Sequence, residues 1–334
     1  MTIEFIHRQS AHCESGVTAN LLKHNGYSIS EAMAFGIGGG LFFGYFPFIK
    51  INHLPLITFR GAPGSIFKKC ASRLGVPVTS RQFRDPQRGM DALDASIAAG
   101  IPVGLQSGVY WLPYFPAALR FHFNAHNLVV YGREGDEYLI SDPIIEKPVR
   151  CSSAVLERAR YAKGALAPKG RMYSIGQVPG EIPLAAAIRA GIKEVATRMV
   201  KVPIPLIGVR GMRMLARHLQ YWPDKFGDKQ SIIHLGHLIR MQEEIGTGGG
   251  GFRFIYAAFL QEAAAVLELP RLEILAQEMT QIGDMWRRIA LLGARRCKGR
   301  NSTDNTFPAL AELMRECSLR EEKLFRELLH VVKK

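Results

Sequence analysis

Pro183 separates two kinds of hydrophobic pattern in this chain. Before it, apolar residues come in short, strand-length runs mixed with brief helical stretches. After it, they recur at helical spacing over 184–200, 206–220, 229–245, 252–267, 271–293 and 306–332. Pro203, Pro205, Pro223 and Pro270 punctuate the helical part, since proline cannot continue a helix from within. The pattern predicts an α+β N-terminal domain over 1–150, a connector over 151–182 and a mostly α-helical domain over 183–334.

The first part can be read more finely. Glu14 to Lys23 is expected to be a helix ended by Gly26, and Ser30 with Glu31 starts a second one that glycines soon loosen. IPVGLQSG (101–108) is a short buried strand. HNLVVYG (126–132) and EYLISDP (137–143) flank the turn REGD (133–136), which makes 126–142 a β-hairpin. The connector is expected to hold a short helix near 153–162 and a strand at 171–175. Residues 32–49 carry no charge, but Gly36, Gly38, Gly39, Gly40, Gly44 and Pro47 make them a poor lipid-spanning helix. A buried, tightly packed segment is expected there, and no integral membrane span.

The 334 residues are 47% hydrophobic and 22% charged, enough for a sizeable core without disulfides. The five cysteines, Cys13, Cys70, Cys151, Cys297 and Cys317, include no C-x-x-C pair, which argues against a zinc ribbon or a disulfide framework. No basic segment followed by an apolar one marks a secretory signal at the start, so a cytoplasmic protein with reduced thiols is expected. The formal net charge of +14 attracts acidic partners: nucleic acid, anionic lipid or an acidic protein. No helix-turn-helix, zinc-finger or RNP signature accompanies the charge, so nucleic acid is not the expected partner. The oligomeric state stays open.

Three residues carry the candidate chemistry. Cys13 sits immediately before a short helical run, where the helix dipole and unpaired N–H groups stabilise a thiolate and can hold an oxyanion. His126 opens the first strand of the hairpin and Asp142 closes the second. The antiparallel return can therefore bring the carboxylate beside the imidazole, fixing the ring and stabilising its cation. Taken singly, these are an ordinary buried cysteine, a core histidine and a turn residue before Pro143. Together they make a thiol, a base and an orienting carboxylate.

Residues 12–142 resemble the N-terminal domain of the butirosin-biosynthesis H protein family, which has a papain-like fold. The resemblance is carried by His12-Cys13 with TANLLKHNG (18–26), by EAMAFGIGGGLFFGY (31–45), by IPVGLQSGVYWLPY (101–114) and by the hairpin from His126 to Pro143. The hairpin is also similar to that of the peptidase domains attached to bacteriocin-exporting transporters. GGFRFIYAAFLQEAA (250–264) with Trp286 resembles the helical domain that commonly follows in the family.

The resemblance implies a cysteine-dependent acyltransferase of natural-product or lipid biosynthesis. Cys13 would attack the thioester of an acidic acyl carrier protein, His126 would serve as base and acid, and Asp142 would orient His126. An amine-bearing small molecule would take the acyl group as an amide. The phosphopantetheine belongs to the carrier, and no bound cofactor or metal is expected. His122 with His126, and His234 with His237, lack a carboxylate or cysteine at ligand spacing. Gln9 lies four residues before Cys13, closer than the oxyanion glutamine of papain-like peptidases, and Asn124 or Asn127 can serve in its place.

Other features are less specific. Tyr114, Arg253, Tyr256 and Glu262 are candidate substrate contacts. The run GTGGGGFRF (246–254) lacks the Lys-Ser/Thr of a P-loop and reads as a flexible loop. Arg189, Lys193, Arg198, Lys201, Arg210, Arg213 and Arg217 form a basic stretch suited to docking a carrier, on a helical domain expected to cover the site. Two rival functions remain: a cysteine peptidase or amidase on the same fold, and a non-catalytic carrier-binding scaffold.

Overall fold

The structure, a computed structural model, describes residues 2–51 and 53–333, without the side chain of Ala118. In chain order, helices α1 (Cys13–His24) and α2 (Glu31–Ile37) precede strands β1 (Leu41–Ile51) and β2 (Leu54–Arg60). Helix α3 (Ser65–Arg73), strand β3 (Val78–Arg81), helix α4 (Pro86–Ala98) and strand β4 (Val103–Ser107) follow. Then come β5 (His126–Glu134), β6 (Glu137–Ser141), β7 (Val149–Ser152), α5 (Ser153–Arg160) and β8 (Met172–Ile175). The remainder is helical: α6 (Leu184–Val200), α7 (Gly208–Gln220), α8 (Trp222–Glu243), α9 (Arg253–Leu267), α10 (Pro270–Cys297) and α11 (Phe307–Val331). No helix among the described residues is long and apolar enough to cross a membrane.

The α+β class and the helical second half are as the pattern predicts. The chain divides into two compact units, Met1–Ala34 with Pro63–Pro183, and Phe35–Ala62 with Leu184–Lys334. The division differs from the boundaries read from periodicity. The stretch 151–182 is no linker: it carries the end of β7, α5 and β8, all within the first unit. The β1–β2 hairpin, for its part, groups with the helices of the second unit.

The first unit is built on a six-stranded antiparallel sheet of order β3-β8-β4-β5-β6-β7. Directly paired residues share a face and successive residues alternate. Pairing of Leu105 with Leu128, Val103 with Val130 and Ile140 with Val130 therefore builds one apolar face. Met90, Leu93 and Ile97 of α4 and Leu156 and Ala159 of α5 pack in the same buried cluster. The opposite face receives α1 and α3. Phe67 of α3 lies against Tyr173 of β8 with ring centres 4.4 Å apart, and α1 is buried from Cys13 to Leu22.

In the second unit, β1 and β2 pair antiparallel and pack among helices α6, α7 and α8. Phe43 and Phe59 meet Trp286 of α10 with ring centres 5.9 and 5.3 Å apart. The uncharged stretch 32–49 is thus a helix running into a strand; Phe35, Phe43 and Tyr45 are buried as expected, whereas Phe48 and Ile49 at its end are exposed.

Candidate active site

Cys13 is the first residue of α1 and is buried. The approach to it is pinned by Glu31, whose carboxylate accepts hydrogen bonds from the backbone N–H of Ala11 (2.9 Å) and His12 (2.6 Å) and from the Ser15 hydroxyl (3.3 Å). Burial raises the Glu31 pKa, and these three donors oppose the rise. His12 is the N-cap, its Nδ1 accepting from the Ser15 N–H, which turns the ring into the cap. Glu14 points the other way: its carboxylate accepts from the N–H groups of Gly64, Ile66 and Phe67 and so closes the N-terminus of α3. Both residues flanking Cys13 therefore fix the backbone around it.

His126 and Asp142 meet as the hairpin predicts. Residues 126, 128 and 130 of β5 alternate onto the face that carries Ile140 of β6, and Asp142, two residues on, emerges on the same side. His126 Nε2 lies 2.6 Å from Asp142 Oδ2. The Tyr114 hydroxyl donates to the same oxygen at 2.9 Å, and the Ile144 N–H donates to Oδ1 at 3.1 Å. The carboxylate is wholly buried yet has three donors, which is what keeps a buried anion tolerable. Asp142 takes Nε2, so the hydrogen bond between His126 and Cys13 uses the other ring nitrogen, Nδ1. Burial alone pushes the imidazole pKa down. The charge and hydrogen bond of Asp142, with those of Cys13, outweigh it and raise the pKa to about 10. The pocket thus favours an imidazolium next to the sulfur.

The three oxyanion candidates part company. Asn127 follows His126, so its side chain lies on the opposite face, where α1 packs. Its Nδ2 donates to Cys13 Sγ at 3.9 Å and to the Ala125 carbonyl at 3.1 Å. The Tyr173 hydroxyl donates to Asn127 Oδ1 at 2.7 Å, which orients the amide with its N–H groups toward the sulfur. Asn124 spends its amide on the carbonyls of Lys163 (3.1 Å) and Ala165 (3.0 Å) and is a latch for that loop. Gln9 has an exposed side chain.

Of the expected substrate contacts, only Tyr114 is at this site, and there it holds Asp142. Arg253, Tyr256 and Glu262 belong to the second unit. Arg253 is fully buried in a two-point ion pair with Glu321, Nε–Oε1 and Nη2–Oε2 both 2.9 Å. The Trp286 indole N–H donates to the same carboxylate at 2.7 Å. Tyr256 is fully buried as well, and Glu262 is half-buried on α9. The glycine run before them takes an unusual backbone path. Gly248, Gly249, Gly250, Gly251 and Phe252 all have positive φ, a left-handed stretch that glycine alone adopts freely. The Gly250 N–H donates to the Glu243 carboxylate at 3.1 Å, so an anion of the protein already sits where a phosphate would. No group of His, Cys, Asp and Glu among the described residues could hold a metal.

Sequence reasoning overlooked Glu31, Glu14 and Tyr173. The two glutamates had a signal, an acidic residue at each helix start next to the cysteine. Tyr173 had none, since its role depends on β8 pairing with β4 across a long sequence gap.

Comparison with known proteins adds the following. Residues 12–143 match the family profile described as butirosin biosynthesis protein H, N-terminal. Residues 154–328 match that of a domain of unknown function, DUF4872. No curated protein matches the chain. A solved structure described as a C39-like peptidase from Bacillus anthracis is 15% identical and covers 53% of this chain and 94% of its own, at a TM-score of 0.34. A likeness of that size carries nothing about the chemistry.

Proposed function

Because the chain belongs to the DUF4872 family and, over residues 12–143, to that of butirosin biosynthesis protein H, N-terminal, we propose that it is a papain-like cysteine enzyme that transfers acyl groups. The observation that carries this reading is one imidazole shared between a buried carboxylate 2.6 Å away and a thiol at a helix start.

The chemistry runs through Cys13. Its sulfur attacks the carbonyl carbon of an acyl thioester, and the oxyanion forms beside the first turn of α1 and the Asn127 amide. The bond to the donor sulfur breaks, and His126 supplies the proton to the departing thiol. An amine then attacks the acyl-cysteine, gives its proton to His126 and leaves as the amide while the Cys13 thiolate is restored. Asp142, held by Tyr114 and the Ile144 N–H, keeps the ring oriented through both steps. The donor is an acyl carrier protein, which brings its own phosphopantetheine. The net charge of +14 favours an acidic partner of that kind.

The test is incubation with acyl carrier thioesters, with and without amines. Amide formed only in the presence of intact Cys13 supports transfer. Free acid alone, unaffected by amines, replaces it with a hydrolase. Product formation unchanged by Cys13→Ala removes catalysis from this site.

A further inference from the structure

A cavity of about 280 Å³ lies wholly within the helical unit, far in sequence from Cys13. Its apolar walls come from Tyr45 of β1, Tyr221, and Trp222 and Phe226 of α8. Lys50, Arg217 and Lys225 also line it, and among the described residues no carboxylate does. None of these three cations belongs to a salt bridge of the described residues. Lys225 lies only over the Phe226 ring, at 5.3 Å.

Two histidines complete the lining. His234 is 4% exposed and held edge-on by Trp222 and Phe226, with ring centres 5.5 and 4.8 Å away. Its Nδ1 is buried without a hydrogen-bond partner. A buried ring nitrogen left unpaired costs stability unless a ligand or water completes it. His218 Nδ1 lies 3.1 Å from the Tyr45 hydroxyl. Burial, then Lys225 and Arg217, hold the His218 pKa down, while burial, then Lys50 and His237, do the same at His234. An anion seated among these groups relieves that repulsion.

The shape of the cavity has a local cause. Gly227 breaks α8 with φ 74° and ψ 165°, so Trp222, Lys225 and Phe226 stand on one side of the break and His234 on the other. Ser231 donates to the Gly227 carbonyl at 2.7 Å and holds the break in place.

We propose that this cavity is a binding site for a small molecule joining a flat apolar body to a phosphate or carboxylate group. The aromatic walls take the body, and Lys50, Arg217 and Lys225, beside the unpartnered His234 Nδ1, take the charge. The volume suits one ring and its acidic substituent. The site is independent of the acyl-transfer reading, and Cys13 plays no part in it.

Calorimetric titration of the full chain tests the proposal, with phenyl phosphate, benzoate, benzyl alcohol and inorganic phosphate as probes. The expected result is saturable binding of phenyl phosphate or benzoate with Kd below ~1 mM. It should weaken about tenfold or more in R217Q/K225Q, a loss of about 1.4 kcal/mol. Both substituted side chains are exposed, and circular dichroism checks that the variant is folded. Absence of saturable binding by either acidic probe overturns the proposal, as does equal binding to the double variant. Equal affinity for benzyl alcohol refutes the charge recognition, and equal affinity for inorganic phosphate refutes the apolar recognition.

Discussion

Gly16 of the cysteine helix lies against Pro143, the residue after Asp142, so closely that a Cβ at Gly16 would meet the Pro143 Cβ at 2.7 Å and the Ser10 side chain at the same distance. The Ser10 N–H donates to the Pro143 carbonyl at 2.7 Å, which closes the contact from the other side. The glycine thus sets how near the helix that carries the sulfur comes to the turn that carries the carboxylate. Gly16→Val is expected to destabilise the fold by roughly 1–3 kcal/mol through overpacking and to cut acyl transfer far more than Gly180→Ala, whose site is open. Urea unfolding and kcat measured on both variants check this.

Asn127 and Asn124 are predicted to behave differently although both are buried. Asn127→Ala removes the amide next to sulfur and is expected to lower kcat by about 10²–10³-fold, beyond the roughly 1–3 kcal/mol of stability that orphaning the buried Tyr173 hydroxyl costs. Asn124→Ala frees the loop at 163–165 and is expected to cost roughly 1–3 kcal/mol of stability with a smaller effect on kcat. Steady-state kinetics and denaturant unfolding of the pair separate the two roles.

The raised pKa of His126 makes stability depend on pH. A folded-state pKa of about 10, against an ordinary 6.5, means that the charged ring stabilises the fold fully below pH 6.5. That contribution declines above 6.5 and is lost as the pH rises through 10. The stability difference between the protein and His126→Asn should therefore be larger at pH 6 than at pH 10.5, measured by urea unfolding at each pH. Alkylation of Cys13 by iodoacetamide at pH 7 should be slower in His126→Asn, which lacks the imidazolium beside the sulfur.

In the helical unit, Glu321 balances Arg253 and also receives the Trp286 N–H. Glu321→Ala leaves a buried guanidinium without a counter-charge and is expected to cost about 3–5 kcal/mol. The double change Glu321→Leu with Arg253→Met should cost less than Glu321→Ala, because no charge is then left buried and unpaired. Denaturant unfolding of the variants decides it.

What the sequence discloses depends on how local the signal is. Cys13, His126 and Asp142 stand out because a helix start and a tight hairpin are written in neighbouring residues. The helices after Pro183 are legible because their apolar stripes repeat over many turns. The strand at 172–175 is legible as a strand, but its place in the sheet is not, since that place is set by pairing with β3 and β4, about ninety and seventy residues earlier. Strand β1 begins within the uncharged stretch 32–49, and nothing in its composition says that it sits among helices. Choosing Asn127 over Asn124 was within reach of the strand prediction alone, because Asn127 follows His126 on β5 whereas Asn124 lies before the strand. Arg253 and Glu262 drew attention as charges near a glycine run. Burial of Arg253 against Glu321, sixty-eight residues away, is a tertiary fact with no local signature.

The central claim is that Cys13 takes up the acyl group, and intact-protein mass spectrometry tests it most directly. After exposure to acyl carrier thioesters, the account predicts a mass increment equal to the acyl group, located on Cys13, absent in Cys13→Ser and discharged by an amine. An increment that survives in Cys13→Ser, or unmodified protein in the presence of thioesters that are turned over, contradicts it.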